Sequence, residues 1–90
     1  MGLNALISID LKNNRKDNCE IFVEEMQHKE WSLLEEVSNT WVTSFNEGVT
    51  REKALQVIQN DILESKTKAQ LDTISLAVQL AEKDIVFGEF

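Results

Sequence analysis

Residues 71–81 read Leu71-Asp72-Thr73-Ile74-Ser75-Leu76-Ala77-Val78-Gln79-Leu80-Ala81, and their period decides the fold. Ile74, Leu76, Val78 and Leu80 alternate with small or polar residues, as a strand with one buried face requires. Leu71, Ile74, Val78 and Ala81 also satisfy a helical stripe. The strand is the preferred reading, because a helix leaves Leu76 and Leu80 outside its apolar stripe. As a strand, the segment completes the α+β pattern described below; as a helix, it removes one strand from it.

Immediately upstream, Thr50 is placed to cap a helix that runs to about Ala69, with a broad apolar stripe of Ala54, Leu55, Val57, Ile58, Ile62 and Leu63. Before it lies a hairpin. Trp31, Leu33 and Val37 alternate on one side of the turn Ser38-Asn39-Thr40, with Glu35 breaking the pattern, and Trp41, Thr43 and Phe45 alternate on the other. Asn46-Glu47-Gly48 is the following turn. Further back, Cys19, Phe22, Val23 and Met26 share one helical face, with Glu20, Glu24 and Glu25 on the solvent side. Asp17 or Asn18 caps that helix, and His28 and Lys29 close it where cations complement the dipole.

The chain opens on a strand over 3–11. Leu3, Ala5, Ile7, Ile9 and Leu11 point one way; Asn4, Leu6, Ser8 and Asp10 point the other. The polar run 12–18 follows as a loop. Downstream of residue 81, the tail Ile85-Val86-Phe87-Gly88-Glu89-Phe90 reads as a short extra strand. The order strand, helix, strand, strand, helix, strand is the split βαβ pattern, a single α+β ferredoxin-like domain over residues 1–90. Both helices cover one face of an antiparallel sheet whose first strand lies centrally, beside the third and fourth.

The other sheet face receives Leu6, Ser8, Asp10, Leu34, Glu36, Val42, Ser44, Ser75, Ala77 and Gln79. These residues are small or mildly apolar, suited to water or to close docking of a second sheet. The Ile-Val-Phe tail is an edge-pairing liability unless covered, and a neighbouring subunit would cover it. Leu6, Ser8, Ser44, Ala77, Ile85 and Phe87 are therefore the expected contacts of a homodimer.

Net charge is −7, from 16 acidic and 9 basic residues. That balance argues against nonspecific wrapping of duplex nucleic acid; it suits solubility, as in many ordinary proteins, or a partner with a basic surface. One cysteine, Cys19, excludes an internal disulfide and fits a reducing cytoplasm. No signal peptide, lipid anchor or membrane span is expected. His28 is the lone histidine, no zinc-ligand spacing exists, and no glycine-rich phosphate loop is present. Trp31 and Trp41 have the chemistry to stack bases, but paired tryptophans in a hairpin are more often core.

The segment ALISIDL at 5–11, the polar loop carrying Arg15, a helix, and WSLLEEVSNTWVTSF at 31–45 together resemble the Cas-two superfamily. That group holds the small CRISPR-associated adaptation proteins and their VapD and GhoS toxin–antitoxin relatives. The resemblance implies a homodimer joined through the open sheet faces, with C-terminal strands crossing to the partner. It also implies metal-dependent endonuclease activity, with Asp10 of each subunit near the two-fold axis holding Mg²⁺ or Mn²⁺. Arg15 and Lys16, with Lys12, form the local basic cluster that would meet phosphates. Three functions stand open: a catalytic, defence-related dimer centred on Asp10; a non-catalytic acidic module that binds a basic protein and needs no cofactor; and a structural subunit whose dimer is itself the functional unit. In the second, Asp10 merely caps the strand exit.

Overall fold

Six elements account for the computed structural model, which describes residues 2–12, 14–34 and 39–86. They are β1 (Asn4–Asp10), α1 (Lys16–His28), β2 (Ser32–Leu34), β3 (Thr40–Ser44), α2 (Arg51–Ala69) and β4 (Ser75–Ala81). The sheet order is β2-β3-β1-β4, with every neighbouring pair antiparallel. This is the ferredoxin-like plait. β1 is central, and β4 is an outer strand.

The strand reading of 71–81 holds, and the end of α2 shows why. Gln70 adopts a left-handed conformation (φ 56°, ψ 41°). Its N–H donates to Thr67 O, and the N–H of Leu71 donates to Lys66 O, both at 3.1 Å. This Schellman closure satisfies the last carbonyls and turns the chain out of the helix. β4 then pairs with β1 from Asn4↔Ala81 to Asp10↔Ser75. α1 ends the same way. Glu30 has φ 70°, its N–H donates to Gln27 O, and Trp31 N–H donates to Met26 O.

The core lies between the sheet and the helix layer. Ala5, Ile7 and Ile9 of β1 meet Phe22 and Met26 of α1 and Ala54, Ile58 and Ile62 of α2. Ile7 sits between Trp41 and Val78 across the sheet. Trp31 and Trp41 are both buried in this cluster, so they serve as core rather than as base-stacking platforms. The indole N–H of Trp31 donates to Asp61 Oδ2 at 3.0 Å, satisfying its polar edge.

The cap of α1 differs from expectation. The helix starts at Lys16 with Arg15 as N-cap and no side-chain cap, so Asp17 falls inside the first turn, where its charge favours the dipole. Asn18 is drawn away instead, donating to Gln70 O at 3.4 Å. Thr50 caps α2 as expected, accepting from Lys53 N–H at 3.1 Å. The second half of the expected hairpin strand, including Glu35, Glu36, Val37 and Ser38, lies outside the described residues. Ile85 and Val86 continue beyond β4 as irregular chain, and the rest of the expected tail strand, Phe87 included, is likewise outside them.

Candidate functional site

Asp10 ends the central strand, exposed on the open face beside Ser75. Its Oδ1 accepts the backbone N–H of Lys12 at 2.8 Å. Lys12 is left-handed, with φ 53°. A short carboxylate two residues before such a position forms an Asx-type turn, which compensates the strained backbone and steers the chain off the sheet. Asp10 therefore holds the strand exit.

The loop it opens is fastened further on. Asn14 donates through Nδ2 to Leu11 O at 2.6 Å and accepts through Oδ1 from Asp72 N–H at 2.7 Å. That side chain ties the β1–α1 loop to the α2–β4 connection. Within the polar run 12–18 nothing in the sequence sets Asn14 apart except asparagine's habit of bonding nearby backbone in turns.

Arg15 and Lys16 are exposed at the start of α1. Lys16 borders a shallow hollow with Leu11, Cys19, Glu20, Val23 and Glu24. That hollow lies on the helix side of the sheet, since Leu11 follows the phase of Ile7 and Ile9. Asp10 points to the opposite side. Asp10 and Lys16 thus occupy different layers, and the lysine has two glutamates for neighbours.

A divalent ion of the Mg²⁺ or Mn²⁺ type needs several oxygen ligands in a near-octahedral set. Among the described residues, no group of three or more His, Cys, Asp or Glu side chains gathers as such a set. Asp10 of one chain, already accepting from its own loop, does not fit a metal centre by itself.

On the open face, Ser8 and Ala77 are exposed cross-strand partners, and half-buried Leu6 lies between Val42 and Gln79. Ser44 donates to Asn4 Oδ1 at 2.7 Å. Asn4 Nδ2 in turn donates to Lys83 O at 3.0 Å, drawing the chain after β4 across the end of the face. Ile85 and Ser44 consequently border one shallow depression of about 340 Å³, together with Val42 and Asp84. Of the expected dimer contacts, Leu6, Ser8, Ser44, Ala77 and Ile85 share this side of the sheet, while Phe87 is outside the described residues.

Among the described residues, two ion pairs join the helices. Lys68 pairs with Glu25 at 2.7 Å and Lys29 with Glu64 at 3.0 Å, both across the α1–α2 seam. The Lys68 hydrogen bond holds the Glu25 carboxyl below its ordinary value, and the Glu64 hydrogen bond raises the Lys29 ammonium above its own. Asp17, Glu20 and Glu24 lie exposed along the outer side of α1. Cys19 is half-buried at the core margin, and His28 is exposed at the helix end.

No family model matches the chain, and neither a curated protein nor a solved structure matches it. Among the described residues, no helix is long and apolar enough to cross a membrane.

Proposed function

We propose that the chain is a non-catalytic protein-binding module of the cytoplasm, whose acidic outer side of α1 takes a partner with a basic surface. The observation that carries this reading is the distribution of charge on the helices. Lys29 and Lys68 are consumed at the α1–α2 seam, while Asp17, Glu20 and Glu24 make no ion pair among the described residues and line one exposed stripe with Ile21. A carboxylate stripe with an apolar residue in it suits a basic patch on another protein, steering encounter by charge and adding a small apolar contact. An inhibitor of a nucleic-acid-handling or defence complex would have this character.

The test is co-purification from the native host at low and high salt, with the wild type beside a Glu20→Lys/Glu24→Lys variant. A basic partner that is held at low salt, released at high salt and lost by the variant supports the reading. A partner indifferent to both changes, or none at all, rejects it.

A second reading is a Cas-two-like metal-dependent nuclease of a defence or toxin–antitoxin system. It is favoured by the exposed position of Asp10 at the exit of the central strand, where face-to-face docking of a second copy would add a matching carboxylate. It requires cleavage of RNA or DNA with Mg²⁺ or Mn²⁺ that Asp10→Asn abolishes while the oligomeric state is unchanged. Cleavage surviving that substitution sinks it.

A further inference from the structure

We infer that β4 and the adjoining flank of α2 form a self-complementary surface that pairs with a second copy of this chain, edge to edge, to make one continuous eight-stranded sheet. The inference is independent of the acidic-stripe reading, because that stripe lies on α1, on the other side of the helix layer.

The hydrogen-bonding phase of β4 is fixed by its neighbours. Ile9 N–H donates to Asn39 O at 2.9 Å, and Phe45 N–H donates to Leu3 O at 2.8 Å. Odd-numbered residues of β1 therefore bond toward β3, and even-numbered ones toward β4. Through the register Leu6↔Gln79 and Ser8↔Ala77, Gln79 and Ala77 bond inward. Leu76, Val78 and Leu80 then direct their peptide groups outward. Arg51 Nη1 donates to Leu80 O at 3.1 Å, which, among the described residues, leaves the edge groups of Leu76 and Val78 for a partner strand. The strand carries no charge, proline or glycine, the usual devices that blunt an edge.

A groove of about 500 Å³ runs beside that edge, lined by Leu55, Gln59, Leu63 and Lys66 of α2 and by Leu76 and Val78. Leu55, Leu63 and Leu76 are 39%, 58% and 43% exposed, an unusual concentration of large apolar side chains in a chain this acidic.

The partner is identified by symmetry and charge. Along the outer flank of α2, Glu52, Leu55, Gln59, Leu63 and Lys66 are spaced three, four, four and three residues apart. That spacing is palindromic about Gln59. An antiparallel second copy sets Leu55 against Leu63 and Glu52 against Lys66, twice each, as an isologous two-fold interface requires. β4 is palindromic as well: centred on Ala77, Leu76 faces Val78 of the second copy and Ile74 faces Leu80.

The two centres coincide. Arg51 is tied to Leu80, and Lys66 borders the groove with Thr73 and Ile74. Those anchors span about 22 Å of helix and about 20 Å of strand, so Gln59 stands over Ala77. One axis satisfies both patterns, and its only charged pairs along the helix flank are of opposite sign.

The experiment is sedimentation equilibrium of the full chain with five variants, each checked for unchanged circular dichroism. The expected result is a wild-type dimer that Leu63→Glu and Leu76→Lys each convert to monomer. Ser8→Arg, in the middle of the open face, leaves it intact. Lys66→Glu weakens it by about tenfold, and adding Glu52→Lys restores it. A wild type that stays monomeric, a dimer lost with Ser8→Arg but kept with Leu76→Lys, or a Lys66→Glu defect that Glu52→Lys does not repair overturns the inference.

Discussion

Asp10 and Asp61 are carboxylates put to opposite uses by their surroundings. Asp10 is exposed and accepts a backbone N–H at the exit of β1. Asp61 is half-buried and receives the indole N–H of a buried tryptophan. Removing Asp61 leaves that N–H without its acceptor, which costs about 1–3 kcal/mol. Asp61→Ala is therefore expected to lower the urea midpoint by that equivalent with an unchanged m-value, while Asp61→Asn, which keeps an acceptor, loses less. Glu25 gives a pH-dependent counterpart. Its carboxyl titrates below the ordinary glutamate value because Lys68 hydrogen-bonds it. Its contribution to stability is thus fully present above the ordinary range and disappears as pH falls through the lowered value. Lys68→Ala is expected to move the Glu25 titration upward, read from its side-chain carboxyl resonance by NMR. A titration unmoved by the substitution would show that the pair is not formed in solution.

At the scale of elements, both helices stop on a left-handed residue other than glycine, Glu30 for α1 and Gln70 for α2. A side chain at this position costs about 1 kcal/mol against glycine. Glu30→Gly and Gln70→Gly are each expected to raise stability by about that amount in chemical denaturation; a loss in either would mean that the side chain itself holds the cap. Gln70 also shows what the sequence could carry. The alternation Ile74, Leu76, Val78, Leu80 identified β4 because a period of two has only one geometric realisation beside a central strand. The sheet order followed from the element order. The exact helix stop did not, since glutamine carries no turn signal and is forced left-handed by the hydrogen bonds of Leu71. The start of α1 was misplaced for a related reason: Asn18, a good cap by type, is engaged by Gln70 O in a contact 52 positions away. Asp10 was legible as a carboxylate at a strand exit. Its bond to Lys12 was not, because it depends on one backbone angle. Nor was the separation of Asp10 from Lys16 into different layers, which follows from how the loop leaves the sheet. The exposure of Leu76 was equally hidden, as alternation assigns a side chain to a face without saying whether a helix covers it.

At the scale of the whole molecule, a 90-residue chain has a modest core, and much of its apolar surface near α2 and β4 is uncovered in the single copy. Pairing along β4 would cover Leu55, Leu63 and Leu76 and would separate the two candidate functions. Asp10 lies opposite Ser75, two positions from the proposed axis at Ala77. With three strand spacings between the two β1 strands, the two Asp10 side chains would stand about 20 Å apart, far beyond the reach of one ion. The same arrangement leaves both α1 stripes outward, giving a bivalent acidic surface that a partner with two basic sites would bind with gained avidity. Because the second copy binds only the folded chain, stability becomes concentration-dependent. A tenfold rise in protein concentration is expected to raise the melting temperature by about 3–5 °C for a domain of this size. Leu76→Lys should abolish that dependence, and Ser8→Arg should preserve it. A melting temperature independent of concentration over the same range would place the wild type as a monomer whose groove faces water. It would also remove the geometric reason for keeping the two Asp10 carboxylates apart.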